Sequence, residues 1–502
     1  MKYAASFFRR IPALFAICTG CMLSFILALL LFGQTALTAM YQNQSLLSNL
    51  ILYPFALLAI AGLFVLQKRK PALEDKPWLI RALFLAVLAV QFLVARTCWY
   101  HLGWDPSNVF EAAENIARGI GEVDPEYFIL CPNNAPLTLL FVVPLWVAVK
   151  IGLGVPYVVF PYIDSVVLNV TAYVCVQCVY RLTRNSAARV LALSLSLGWL
   201  ALSPFIIFPY TDVYAVFFPV MALYVFLNVN KPALKWLLIS LLCFIGAAIK
   251  PTVLICFIAL AILGVCRVLA NGTFAQRGFG KTALLICLAI VLGAVPGRYF
   301  QTASTDWLTQ GRADENHLSM THYLMLGMNA ETYGGHSPAD VEFTTSFETL
   351  SEGQIANLRR TWERISERGL LGNVKFFAIK AYKAYADGSF AANSSFLPLE
   401  IPERTDSLSL FLRRFYHRSG DMMPYCLTIA QWIWLGVLTL CAVASFRQRR
   451  NPAVAALCLT LLGLTAYLLL FEVWPRYLFL YAPLFVILSS LAFDKPSTHM
   501  VK

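Results

Sequence analysis

Long apolar runs separated by short polar segments occupy most of this chain of 502 residues. Continuous apolar runs of this kind are typical of helices that cross a bilayer, which need about 20 residues. The pattern therefore predicts an all-α polytopic membrane protein with roughly twelve transmembrane helices. The predicted spans are residues 11–32, 47–66, 78–95, 156–180, 190–203, 213–227, 236–248, 253–268, 284–295, 425–445, 453–470 and 478–492.

Composition and charge support a membrane protein and argue against other classes. The chain is 59% hydrophobic and only 13% charged, which excludes a soluble protein of this length. The net charge of +12 comes from basic residues in short runs at the ends of apolar segments. That placement follows the positive-inside rule and predicts no nucleic-acid partner.

The positions of the basic residues predict an orientation. The segments QKRK (67–70), RLTRN (181–185) and FRQRR (446–450) are expected in the cytoplasm, with both termini. The segment 97–135 contains six carboxylates and one arginine and is expected outside. The apolar run 137–151 is ambiguous: if it spans, RLTRN falls outside, whereas a run that lies along or dips into the outer interface keeps RLTRN inside. We favour the interfacial placement.

This orientation divides the chain into five parts, each with its own character. They are three N-terminal transmembrane helices (1–96), a first outer loop with interfacial helices (97–155), a second group of transmembrane helices (156–296), a mostly helical outer loop domain (297–423), and three C-terminal transmembrane helices with a short cytoplasmic tail (424–502).

The cysteines predict packing rather than redox chemistry. Most of the thirteen lie inside apolar segments, including both cysteines of CVQC (175–178), where they act as small apolar side chains. A disulfide between Cys98 and Cys131 remains open, because both flank the outer loop. His101 has no second histidine at metal-binding spacing and is expected to be structural.

Asp105 opens the segment DPSNVFEAAENIARG in the outer loop. Aspartate is a preferred N-cap and proline a preferred first helical residue, and apolar positions repeat along one face. The segment therefore predicts an amphipathic helix on the membrane surface. Asp105 is either the cap of this helix or a catalytic carboxylate at the interface, and the two roles are compatible.

Four further charged residues are expected at the outer ends of spans. Asp212, in PYTD, is either a turn or cap residue or a second site carboxylate. Lys250 is either a snorkelling lysine or a site cation. Arg298 and Arg476 occupy the side where the positive-inside rule expects few cations, so an anionic ligand such as a lipid phosphate would explain them.

The order of these features resembles the GT-C superfamily of polytopic glycosyltransferases. It is most similar to family 39-like bacterial members akin to protein O-mannosyltransferases and the lipid A aminoarabinose transferase. The motifs that carry the resemblance run from about Thr97 to the end of the chain. They are GWDPSNVFEAA, LCPNNAPLTLL, SPFIIFPYTD, GAAIKPT, THYLMLGMN, DGSF and EVWPRYLFLYAPLF.

The resemblance implies sugar transfer from a polyprenyl-phosphate donor to an envelope glycan, lipid or protein on the extracytoplasmic face of the plasma membrane. It implies that Asp105 is the general base, that Asp212 is the second acidic position, and that Lys250 and Arg476 lie near the donor phosphate. Arg298 is a further candidate phosphate ligand, and accessory candidates are Glu111, Asn133 and Asn134. A divalent metal stays open. The chain departs from the family by placing three spans, rather than one, before the first loop.

Two other classes are compatible with the pattern. A transporter or lipid-linked sugar flippase also needs many spans and intramembrane charges, but it tends to have related halves and ionisable residues at mid-span. A scaffold without catalysis would tolerate replacement of every outer carboxylate. The concentration of charges at the outer ends of spans favours the enzyme.

Overall fold

The computed structural model describes residues 2–33, 44–66, 76–120, 123–272 and 279–495. Helices dominate, with one small antiparallel pair of strands, β1 (His101–Leu102) and β2 (Pro398–Glu400). In chain order the helices are α1 Lys2–Phe32, α2 Asn49–Leu66, α3 Pro77–Cys98, α4 Asp105–Arg118, α5 Pro125–Leu130, α6 Ala135–Lys150, α7 Val159–Leu182, α8 Ser186–Leu195, α9 Thr211–Ala215, α10 Phe217–Asn228, α11 Pro232–Ile249, α12 Leu254–Asn271, α13 Phe279–Leu308, α14 Met320–Gly327, α15 Pro338–Thr345, α16 Leu350–Tyr385, α17 Ala392–Ser395, α18 Ser407–Tyr416, α19 Met423–Arg447, α20 Pro452–Leu470 and α21 Ala482–Ser490. The predicted QKRK segment and the end of the tail, from residue 496, lie outside the described residues.

Twelve helical segments among these residues are long and apolar enough to cross a membrane, judged by length and composition. This confirms the predicted all-α polytopic class. Eleven of these segments correspond to predicted spans, and one does not. The twelve include Pro132–Lys150, which the sequence places at the interface, whereas the apolar part of α2, Asn49–Val65, is shorter than the others.

Helix α7 runs antiparallel to α3, which fixes where α7 begins. The Phe84 ring of α3 lies 5.3 Å from the Tyr173 ring of α7, and Phe92 lies 5.2 Å from Tyr162. The first residues of α7 therefore lie beside the C-terminal end of α3. This is the end from which the chain continues to Asp105.

Both ends of α6 lie at that same end of the bundle. Helix α6 begins after Asn134, which is hydrogen-bonded in the Asp105 site described below. It is followed by Tyr157, whose ring lies 4.3 Å from the imidazole of His101, and its own Phe141 stacks at 4.1 Å on Phe160 in the first turn of α7. Both flanks of α6 thus lie at the Asp105 end of the bundle, which favours the interfacial placement; that placement stays a prediction, because α6 is also long and apolar enough to span.

The opposite end of the bundle gathers the basic segments. Thr183, which follows α7, donates a hydrogen bond to the Asp494 carboxylate, and the Gln448 amide donates to the Asp494 carbonyl at 3.0 Å. RLTRN and FRQRR therefore meet at one end, a full span away from Asp105. The predicted separation of basic segments from the outer carboxylates is present in the fold.

Helices α11 and α13 pack closely through two glycines four residues apart. A Cβ at Gly293 would lie 2.5 Å from the Leu237 carbonyl oxygen, and one at Gly297 would lie 2.3 Å from the Phe244 backbone. Small residues at this spacing let membrane helices approach backbone to backbone. Helix α13 then continues to Leu308, so the outer loop domain begins later than the predicted boundary at residue 297.

The longest helix of the outer loop domain is α16. Helix α16 begins with a capping box between Thr349 and Glu352 and breaks at Gly369, whose φ of 61° glycine adopts without a Cβ clash. Its second half carries Lys380 to the end of α20, where the amine donates to the Phe471 carbonyl at 2.7 Å. The outer helix is thereby tied to the bundle.

Four cysteines singled out in the sequence differ in their burial. Cys175 and Cys178 are fully buried, which confirms their packing role. Cys98 is buried and Cys131 half-buried, and both are free thiols. The disulfide that the sequence left open is absent from the structure.

Candidate functional site

Asp105 is the first residue of α4, and its side chain points away from the helix that it was expected to cap. The preceding Trp104 has φ 52° and ψ −144°, a conformation that is rare outside glycine. The Asp105 carboxylate accepts hydrogen bonds from the hydroxyls of Tyr127, at 3.1 Å, and Tyr210, at 3.2 Å. The N-cap prediction is therefore wrong, because tertiary contacts take the carboxylate that the helix end could have used.

Asn134 completes a four-membered polar network around this carboxylate. Its amide nitrogen donates to the Tyr127 hydroxyl at 2.6 Å. Its amide oxygen lies 3.1 Å from the Tyr210 hydroxyl, whose single proton is shared between Asn134 and Asp105. Asn134 is buried and immediately precedes helix α6. The contacts join the first outer loop to the turn before α9.

The two tyrosines remain protonated hydrogen-bond donors. Burial is the main cause that raises the pKa of Tyr127 and of Tyr210 well above the ordinary value, and the nearby Asp105 charge raises both further. A protonated phenol beside a carboxylate donates to it, so both hydroxyls orient Asp105. A carboxylate has about four lone-pair positions, which leaves room for further partners.

Asp212 forms a second cluster with two cations. It is completely buried in α9, its Oδ1 is paired with the Lys250 ammonium, and its Oδ2 lies 3.4 Å from Nε of Arg476 without hydrogen-bond geometry. The two cations are largely buried, with side chains 12% and 11% exposed. Enclosed in this way, Asp212 is placed to hold Lys250 and Arg476 rather than to meet a substrate hydroxyl.

Trp104 and Tyr210 connect the two clusters into one site. The Arg476 guanidinium carbon lies 4.6 Å from the Trp104 ring centroid and 5.6 Å from that of Tyr210. These are cation–π distances. Since Trp104 precedes Asp105 and Tyr210 bonds to it, the carboxylate and the cations lie on either side of shared aromatic rings.

Glu472 and Tyr477 extend the site on the far side of the cations. The Lys250 ammonium lies 4.9 Å from the Tyr477 ring centroid, and the Tyr477 hydroxyl donates to Glu472 at 2.7 Å. Sequence reasoning missed these residues and the two site tyrosines, although EVWPRYLF and PYTD contain three of the four. The signal in the sequence was a tyrosine or glutamate close to a charged residue that is expected at the outer end of a span.

Other predicted site residues are not brought to this centre. Arg298 is exposed on α13 and its guanidinium bonds to Gln301 on the same helix at 3.1 Å. Glu111 is exposed on α4. Asn133 reaches only the edge of the site, where its amide donates to Asn134 at 3.3 Å. The bond of Arg298 lies within its own helix, so the phosphate-binding role of Arg298 stays a prediction without a contact to this cluster.

In the described part of the chain, no cluster of three or more histidine, cysteine, aspartate or glutamate side chains could hold a metal ion. His101 instead packs its ring against Tyr157 and Phe110. This agrees with the structural role expected for that histidine.

One of three comparisons with known proteins gives a match, and it supports the membrane class. No curated protein and no solved structure matches the chain. One family model, described as a conserved hypothetical integral membrane protein, matches residues 7–497. That range contains nearly the whole chain, including every residue of the site, and the protein therefore belongs to this family of conserved integral membrane proteins.

Proposed function

We propose that the protein is a membrane glycosyltransferase that moves a sugar from a polyprenyl-phosphate donor to an acceptor hydroxyl on the extracytoplasmic face. One observation carries the proposal. A carboxylate oriented by two tyrosine hydroxyls lies in the same site as a lysine–arginine pair, at the end of a membrane bundle. The resemblance of the sequence to GT-C glycosyltransferases supplies the reaction class.

Asp105 acts as the general base in this proposal. The acceptor hydroxyl attacks the anomeric carbon, a new carbon–oxygen bond forms, and the hydroxyl proton moves to the Asp105 carboxylate. Tyr127 and Tyr210 hold two lone pairs of that carboxylate, so the remaining lone pairs point in fixed directions. Preorganised proton transfer of this kind contributes typically 10² to 10⁴ in rate.

Lys250 and Arg476 stabilise the leaving group. As the bond between the anomeric carbon and the phosphate oxygen breaks, its electron pair goes to that oxygen, and the donor's phosphodiester becomes a phosphomonoester with one more negative charge. Lys250 and Arg476 supply two positive charges, opposite in sign to the developing charge, with Asp212 between them and Glu472 beyond them. The terminal nitrogens of Arg476 make no hydrogen bond within the described chain, so they are available to a phosphate.

A single displacement predicts inversion at the anomeric carbon. The mechanism uses no metal ion, and every role in it belongs to a residue of this chain. The end of the bundle opposite the basic segments is the extracytoplasmic face by the positive-inside rule. A donor whose isoprenoid chain lies in the membrane would present its phosphate at this depth.

The test compares cells with the protein, without it, and with Asp105→Asn. Mass spectrometry of surface glycans, glycolipids and glycoproteins should reveal one sugar modification that is present only with the wild-type protein. The same profile in all three strains would overturn the proposal. A modification lost in the deletion but retained in Asp105→Asn would leave a role in glycan assembly and remove Asp105 as the base.

A further inference from the structure

Glu472 has no part in the proton transfer or the phosphate contacts proposed above. It lies just after helix α20 and is half-buried. Its Oε2 accepts from the Tyr477 hydroxyl at 2.7 Å, and within the described residues its side chain forms no other hydrogen bond and no ion pair. The carboxylate is therefore oriented by one partner and keeps its second oxygen for another donor.

The cations around Glu472 do not occupy that oxygen. Four of them interact with it electrostatically: Lys250, Lys380, Lys383 and Arg476. Lys380 donates instead to two backbone carbonyls, at 2.6 and 2.7 Å, and Lys383 donates to a third at 2.9 Å. Lys250 and Arg476 lie against Asp212. The free oxygen of Glu472 therefore remains open to a donor from outside the chain.

Helix α14 runs from the Asp105 side of the site to the Glu472 side. Before the helix, the Leu318 amide donates to the Leu130 carbonyl at 3.1 Å, where α5 ends. At the other end, Gly327 packs against the end of α20, so closely that a Cβ there would lie 2.3 Å from the Leu470 carbonyl oxygen. The helix thus covers the space between the two carboxylates on the side of the outer loop domain.

Tyr323, in the middle of α14, lies between the two carboxylates. Its side chain interacts electrostatically with both Asp105 and Glu472. It is half-buried, and its hydroxyl forms no hydrogen bond within the part of the chain that the structure describes. The site therefore contains a cleft with Asp105 on one side, Glu472 on the other and Tyr323 on its outer side. Each of these residues offers an oxygen atom to a ligand.

A sugar bonded to a phosphate at Lys250 and Arg476 would lie in this cleft. Its anomeric carbon must face the acceptor hydroxyl at Asp105, and the rest of its ring then extends past the phosphate beneath α14. Sugar hydroxyl and ammonium groups donate to carboxylates, and such charge-assisted hydrogen bonds are stronger than neutral ones. A carboxylate on the sugar would instead be repelled by Glu472, because like charges at short range repel.

We propose that Glu472 and Tyr323 bind the sugar of the polyprenyl-phosphate donor, and that Glu472 accepts a hydrogen bond from one of its hydroxyl or ammonium groups. The sugar is therefore neutral or basic, and it is not a uronic acid. Tyr477 is a positioning residue, since its hydroxyl orients the Glu472 carboxylate. The inference rests on the proposed function, from which it takes the donor.

Lipid binding by the purified full-length protein tests this proposal without any transfer. Polyprenyl phosphate and the polyprenyl-phosphate sugars extracted from the producing membranes are supplied at equal concentration, and no acceptor is added. Native mass spectrometry identifies the bound lipids by mass. The wild-type protein should retain a sugar-linked lipid in about ten- to hundredfold excess over the sugar-free lipid, as one charge-assisted hydrogen bond provides.

Replacement of Glu472 separates sugar binding from a general charge effect. Glu472→Gln should lower the preference for the sugar-linked lipid about tenfold, while polyprenyl phosphate binds as well as before or better, because a negative charge beside the cations is removed. Tyr477→Phe keeps the ring beside Lys250 but frees Glu472, and it should lower the preference about threefold. The control Glu342→Gln removes an exposed carboxylate from α15 and should leave the preference unchanged.

Several outcomes would overturn the proposal. Equal retention of the two lipids by the wild-type protein would do so, and this result does not depend on how well any variant folds. A uronic acid as the retained sugar would also contradict it. Tighter binding of both lipids by Glu472→Gln, with an unchanged preference, would show that Glu472 only balances charge. Retention of the preference and its loss in Glu472→Gln, without sugar transfer when an acceptor is added, would support the sugar site and contradict only the glycosyltransferase.

Discussion

Replacing Asp105 with asparagine separates a catalytic carboxylate from a structural one. The substitution keeps the size of the side chain and one carbonyl acceptor, so one of the two tyrosine hydroxyls can still donate to it. The amide on the other side can donate to the second tyrosine oxygen. The network around Asp105 should therefore persist, while the ability to take a proton is lost.

The expected magnitudes differ enough to decide between the two roles. Exchanging one tyrosine-to-carboxylate hydrogen bond for a neutral one changes the free energy of unfolding by about 1 kcal/mol, which leaves nearly all the protein folded. Loss of a general base lowers turnover by about 10² to 10⁴. This is equivalent to about 3 to 5 kcal/mol in the activation barrier.

The assay measures turnover in liposomes, with the melting temperature of each variant determined in parallel. Glu111→Gln is the matched control, because Glu111 is an exposed carboxylate on the same helix and should be silent. Wild-type turnover in Asp105→Asn would refute the base assignment. Equal losses in the two variants would attribute the effect to the charge of α4 rather than to Asp105.

Four other parts of the account make separate predictions. Asp212→Asn should lower the free energy of unfolding by about 3 to 5 kcal/mol as well as turnover, because it leaves a buried cation pair uncompensated; an undiminished melting temperature would contradict the buried ion pair. Arg476→Lys should raise KM for the donor about ten- to hundredfold, since lysine lacks the planar fork, and an unchanged KM would exclude a phosphate contact. Burial lowers the pKa of Lys380 from 10.5 to about 7. The unfolded chain then binds more protons between about pH 7 and pH 10, so stability should rise with pH across that window. Lys380→Met should remove its part of the rise in denaturation experiments and leave the part from Lys383, whose pKa burial lowers to about 8. Single cysteines at Asn108 and Arg184, on a cysteine-free background, should react with impermeant reagents from outside and from the cytoplasm respectively; Asn108 labelled only from the cytoplasm would reverse the topology.

The membrane architecture could be predicted because it depends on local pattern. Apolar length and the placement of basic residues gave the class, the approximate spans and the separation of RLTRN from Asp105. The ambiguity of 137–151 could not be removed in that way, since its apolar run is long enough to span. Contacts at its flanks, such as Tyr157 with His101 and Phe141 with Phe160, favour the interfacial placement, and no local pattern encodes them.

The site was predicted as separate residues rather than as an arrangement. Asp105 stood out by its position, yet its partner Tyr210 is 105 positions away in sequence. Asp105 does not cap α4, because residue spacing shows only that a side chain could bond to the helix end. Tertiary packing determines which partner the carboxylate actually has. Asp212, Lys250 and Arg476 were each expected at an outer end, but their mutual pairing requires three helix ends to converge. Arg298 satisfied the same sequence criterion, but its side chain bonds within its own helix.

Reaction of the purified protein with lipid-linked sugars tests the central claim most directly. Polyprenyl-phosphate sugars extracted from the producing membranes are incorporated into liposomes with wild-type protein or Asp105→Asn, together with an envelope extract as acceptor. The account predicts release of sugar-free polyprenyl phosphate and covalent transfer of the sugar by the wild-type protein, with both reduced at least a hundredfold in the variant. Donor that stays chemically intact, or only moves from one leaflet to the other, would contradict sugar transfer and identify a transporter of lipid-linked sugars instead.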